Sequence, residues 1–134
     1  MTEPRAALAE LAAALRALHQ RLLAVTQKSF EKLHGRVAGP GLLLQLAVHD
    51  PLFAWLRPLS QQIAALDELL AAEELVRGDL DTTMAGIMAL LEADQAFRAS
   101  YLVYLQTEPD VVMAHAALRR LLTRFGRLSL PRPE

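Results

Sequence analysis

Leu8, Leu11, Leu15, Leu18, Leu22 and Val25 recur three and four residues apart, the interval that gathers side chains onto one stripe of an α-helix. The residues between them are mostly Ala, Arg, Glu and Gln, which favour or tolerate helix and leave the remaining faces small or polar. The pattern predicts a first helix that starts after Pro4, a residue suited to a first turn, and ends at His34, with Gly35 as the left-handed stop. Near Ser29 the stripe changes phase, and Thr26, Phe30 and Leu33 take over from Val25, a four-residue stutter. Three glycines and Pro40 between Gly35 and Gly41 cannot continue the helix and form a connection.

Leu42 to His49 is leucine-dense but only eight residues long, and reads as a short buried helix. It leads into Asp50-Pro51, a capping residue followed by proline at a first helical position. Leu52, Leu56, Leu59, Ile63, Leu66 and Leu70 then keep a helical rhythm through Pro58. An interior proline removes one hydrogen bond and crowds the carbonyl four residues back, at about 3 kcal/mol or more, which predicts a kink or one-turn break around Arg57. The second helix should close at Arg77-Gly78-Asp79, with Gly78 beyond its last turn and Asp79 or Asp81 capping the next.

The third predicted helix spans Thr82 to Gln106, with Met84, Ile87, Leu91, Tyr101 and Leu105 on one stripe that Asp94 interrupts. Glu108-Pro109-Asp110 breaks and recaps the chain. A fourth helix follows through Val111, His115, Leu118, Leu122 and Phe125, with residues 126–134 as a frayed tail. Four long helices with short connections predict a single all-α domain over residues 1–134, an antiparallel up-down-up-down four-helix bundle with one short extra helix.

Composition narrows the function classes. The chain has 134 residues, is 53 % apolar and holds twenty-eight leucines, enough for a core without staples. Cysteine is absent, which excludes thiolate chemistry and thiolate-held metal and fits a cytoplasmic location. Apolar runs such as Leu42 to Leu44 and Leu46 to Val48 fall far short of the roughly 20 residues of a membrane span. A net charge of -1 argues against binding polyanions over the whole surface. Arg120, Arg124 and Arg127 share a face beside Arg119, but no helix-turn-helix glycine turn or interleaved aromatics accompany them. They read as a solvated helix end rather than a nucleic-acid site. With the acidic group Glu73, Glu74, Asp79 and Asp81 they offer complementary patches to an oligomer.

The densest chemistry lies in His49 to Ser60, which holds the only tryptophan. Phe53, Trp55 and Arg57 form a candidate interface, because Trp and Arg are enriched at binding hot spots. The competing reading is that Phe53 and Trp55 fill one end of the bundle while Asp50 and Ser60 cap turns. His19, Asp94, Tyr101 and His115 are candidate interior polar residues, able in principle to shuttle protons or hold a ligand if they converge. Asp94 lies fifteen residues before Pro109 and His115 six after it, which sets them on the order of 10 Å apart in height at about 1.5 Å per residue. A hydrogen bond from Tyr101 or Tyr104 to His115 is therefore the preferred arrangement.

Glu31-Lys-Leu-His34 has the Glu-x-x-His spacing of di-iron bundles, but those need two copies and only one is present. No phosphate loop, nucleophile elbow or His-Glu-x-x-His occurs. The sequence thus favours a non-enzyme without metal or cofactor. It acts through protein contacts as a homodimer; a small-ligand or metal binder using interior polar groups is the alternative.

The segment Asp50-Pro-Leu-Phe-Ala-Trp-Leu-Arg-Pro-Leu-Ser60, with Pro109-Asp-Val-Val-Met-Ala-His-Ala-Ala-Leu-Arg119 downstream, resembles a set of short proteobacterial helical proteins of no assigned activity. The resemblance extends from about Leu18 to Leu122. It implies a stand-alone cytoplasmic helical protein and transfers no catalytic residue.

Overall fold

The computed structural model describes residues 2–128. Among these residues the chain is all-helical, with α1 (Thr2–His34), α2 (Gly39–His49), a 3-10 helix (Pro51–Leu56), α3 (Arg57–Ala71), α4 (Arg77–Glu92), α5 (Gln95–Thr107) and α6 (Pro109–Leu128).

The leucine stripe of α1 is the spine of the core. Leu8, Leu11, Leu15, Leu18 and Leu22 are completely buried, and full burial of such a side chain contributes roughly 1.5 to 3 kcal/mol before entropy. α1 packs along α3 and α6, α3 along α4, and α5 along α6. Leu59 and Leu66 of α3, Ile87 and Leu91 of α4, Phe97 and Tyr101 of α5, and Val111 and Leu118 of α6 complete the same cluster. Cross-helix polar pairs set the directions. Arg5 reaches Leu70, Arg16 meets Asp67, and His19 meets Ser60, so α1 and α3 run oppositely. Arg119–Glu92 and Tyr101–His115 do the same for α6 against the preceding helices.

α1 ends as expected, with Gly35 at φ 88 and its N–H donating to Glu31 O at 2.9 Å. The phase change near Ser29 is only partly realised. Thr26 is fully buried and donates to Leu22 O at 2.7 Å, whereas Leu33 is 72 % exposed.

α2 contradicts its expected burial: none of its residues is buried. Eight or more mostly apolar residues in a short helix have leucines on every side, and one contact surface, the 3-10 helix, cannot cover them all. The proline break resolves as a split. Pro51–Leu56 winds as a 3-10 helix and α3 starts at Arg57 with Pro58 in its first turn, where the missing N–H costs nothing.

Other boundaries also differ from the sequence reading: α1 starts at Thr2 rather than after Pro4, and α2 at Gly39, inside the expected connection. α3 ends at Ala71, before Gly78, because Arg5 donates to the carbonyls of Leu70 (3.2 Å), Ala72 (2.7 Å) and Glu73 (2.9 Å) and satisfies the helix end. Gly78 sits inside the first turn of α4, whose N-cap is Val76, so neither Asp79 nor Asp81 caps it. The predicted third helix is broken at Asp94, which caps α5 through Phe97 N at 3.0 Å. Gly126 does not end α6, which runs on to Leu128. The rest of the expected frayed tail, residues 129–134, lies outside the described residues.

Candidate functional site

Around Pro51–Leu56 the two competing readings of the aromatic cluster separate. Phe53 is completely buried, its ring 5.7 Å from that of Phe30 on α1. Trp55 is half-buried, stacked on Tyr104 at 5.8 Å and tilted against Phe97 at 5.3 Å. Phe53 is thus buried and Trp55 packs against the core with part of its surface accessible; of the proposed trio only Arg57 is exposed, and one Nη donates to Val48 O. Local winding and distant ring partners both contribute. Asp50 Oδ1 accepts from Leu52 N at 2.8 Å, and the tight winding that follows turns both rings inward.

The four interior polar candidates do not converge. Tyr101, 1 % exposed, hydrogen-bonds His115 Nδ1 at 2.6 Å. Burial raises the Tyr101 phenol well above its ordinary value, opposed by Arg119. The phenol therefore stays protonated, and which atom donates follows from the imidazole tautomer. Burial, with Arg119 second, lowers the pKa of His115. Asp94 is a helix cap. His19 meets Ser60 on the other side of α1, its Nε2 2.9 Å from Ser60 Oγ, and burial lowers its pKa.

The remaining motifs are absorbed by structure. Glu31 Oε2 accepts from Val37 N at 2.8 Å, and His34 packs on Phe30 at 4.7 Å, so Glu-x-x-His closes a helix. Among the described residues no group of three or more His, Cys, Asp or Glu could hold a metal ion. Arg124 pairs with Glu10, Arg119 with Glu92 at 2.7 Å, and Arg77 with Asp81 at 3.7 Å. Three of the charges expected to bridge copies are thus engaged within one chain.

What the structure adds is a cleft. α2 stands off α1 and α3, and a cavity of about 480 Å³ opens between them, within the ordinary range of small-ligand pockets. Pro40, Leu43, Leu44, Ala47 and Val48 of α2 form one wall, Leu23 and Leu56 face them, and His19, Arg57 and Ser60 supply polar groups. Arg57 and Ser60 are one turn apart on α3 and share a face. The oxygen of Ser60 and the nitrogen of His19 are within nucleophile–base reach. Among the described residues, however, no hydrogen bond orients the other ring nitrogen of His19, so the pair lacks the third member of a catalytic relay.

Of the cleft residues, sequence reasoning singled out His19 and Arg57, and treated Ser60 as a cap. The signal for the rest was the surplus of leucine on α2, too many apolar faces for so short a helix. A scan against protein-family models, a search of curated proteins and a search of solved structures each found no match.

Proposed function

We propose that this chain is a non-catalytic protein that acts through protein contacts as a homodimer, built as an antiparallel up-down-up-down four-helix bundle. α1, the Pro51–Ala71 arm, the α4–α5 arm and α6 are its four rods. The opposed order of the pairs Arg5–Leu70, His19–Ser60, Arg119–Glu92 and Arg124–Glu10 supports that topology. A cytoplasmic location in a bacterial cell belongs to the same proposal; among the described residues no helix is long and apolar enough to cross a membrane.

The observation that carries the dimer is α2, an apolar helix without one buried residue. Leu33, Leu42, Leu44, Val48 and Leu52, at 72, 42, 66, 51 and 37 % exposure, belong to the same end of the molecule. Together they present on the order of 400 to 500 Å² of apolar surface, the upper range for a monomer. A second copy laid over this end buries about 1,000 Å² in all, about the minimum for a specific interface. The interface is thus α2 and its neighbours, with Phe53 and Trp55 behind it as support.

Light scattering coupled to size-exclusion chromatography, over a range of protein concentrations, tests this. Wild type is expected at twice the chain mass and a Leu42→Ser/Leu44→Ser double variant at the chain mass, with unchanged helicity. A wild type that stays monomeric at the highest concentration refutes the dimer. The alternative, a small-ligand binder, is favoured by one observation, the cleft behind α2.

A further inference from the structure

We propose that the cleft between α1, α2 and α3 is a binding site for a single-chain aliphatic carboxylate of about eight to twelve carbons, its chain along α2 and its carboxylate on Arg57 and Ser60. Three features carry the assignment, and Leu44 and Val48 belong both to the cleft and to the proposed dimer face.

The first is the separation of character within the cleft. Leu23, Leu43, Leu44, Ala47, Val48, Leu56 and Pro40 supply hydrocarbon, and the polar lining groups sit together on adjoining turns of α1 and α3. An occupant must therefore be amphipathic, with one polar end. Without it the leucine and valine side chains face water, and Leu44 and Val48 are 66 % and 51 % exposed.

The second is the sign and shape of the polar end. Its lining contains a guanidinium, a hydroxyl and an imidazole but no carboxylate. A guanidinium has five N–H donors in a planar fork, and the Nη that donates to Val48 O anchors it to the last turn of α2. The other donors are left to an anion. Burial lowers the pKa of His19, whose Nε2 lies 2.9 Å from Ser60 Oγ; the serine proton rests on Leu56 O at 3.4 Å, a long bond that a ligand oxygen can replace. Two donor groups on adjacent turns suit the two oxygens of a carboxylate. A primary amine would meet Arg57 with like charge.

The third is size. At roughly 30 Å³ per non-hydrogen atom, about 480 Å³ holds on the order of sixteen atoms. One medium-length chain with its carboxylate fills that space.

Isothermal titration of the full chain with decanoate, decanol and decylamine, all below their aggregation concentrations, tests the assignment. Decanoate is expected to bind one per chain, and decanol about tenfold or more weaker, the usual scale for losing a charge-assisted hydrogen bond. Arg57→Gln should bring decanoate down to the level of decanol while leaving decanol unchanged; Ser60→Ala should weaken decanoate less. Ala47→Trp, placed in the apolar wall, should abolish binding of both at unchanged helicity. Failure of decanoate to bind overturns the site. Equal binding of decanol and decanoate overturns the carboxylate, and binding that survives Ala47→Trp locates the ligand elsewhere, such as the exposed Val112 and Met113 near the α5–α6 turn. The oligomeric state, read separately by light scattering, keeps any failure of the dimer distinct from these outcomes.

Discussion

Replacing Phe53 by alanine separates a core residue from an interface residue at the same end of the molecule. Phe53 has no exposed surface, and its ring lies 5.7 Å from Phe30. Truncating a fully buried phenylalanine loses its transfer free energy and leaves a cavity, together about 3 to 5 kcal/mol. Phe30 is only half-buried and is able to lean into the space, so the lower end, about 3 kcal/mol, is expected. Native domains hold about 5 to 15 kcal/mol in all, so the variant should remain folded with a large shift in midpoint. The assay is urea unfolding followed by helical circular dichroism, at two protein concentrations differing tenfold. The destabilisation should be the same at both concentrations, because the lost contacts are within one chain, and the slope of the transition should be unchanged. A loss below about 1 kcal/mol, typical of surface positions, or a loss confined to the lower concentration, refutes the placement of Phe53 in the core.

Two further outcomes follow from the polar groups. Asp94→Ala removes the acceptor for Phe97 N at 3.0 Å and should cost about 1 kcal/mol in the same unfolding assay, whereas Asp94→Asn should cost a few tenths; equal losses for the two would show that Asp94 acts otherwise than as a cap. His19 and His115 both have pKa values lowered by burial, so below their unfolded value of about 6.5 the unfolded chain binds more protons than the native one. Their contribution is full above that pH and is lost as pH falls through the lowered native values. Unfolding midpoints measured from pH 8 to pH 5 should fall across this window and do so less in a His19→Gln/His115→Gln variant; parallel curves would contradict the burial argument.

Much of the fold was legible in the string of residues, because helix identity rests on local quantities. The three-and-four spacing of Leu8 to Val25 and the left-handed propensity of Gly35 act over a single turn, and both α1 and its end follow from them. Pro58 likewise announced a break. Tyr101 and His115 could be paired by counting along two helices from their shared turn, and they meet at 2.6 Å.

Tertiary structure decided everything that depends on which groups arrive from afar. α3 stops at Ala71 because Arg5, more than sixty residues earlier in the chain, takes its terminal carbonyls. Asp94 caps rather than continues a helix, a choice between two backbone partners that periodicity does not encode. The inward turn of Phe53 and Trp55 depends on Phe30, Phe97 and Tyr104 being there to receive them. The cleft has no linear signature at all. Its walls come from three helices, and it exists because α2 carries apolar side chains on more sides than its neighbours can cover. Hydrophobic periodicity tells which face of a helix seeks burial; only packing tells which faces find it.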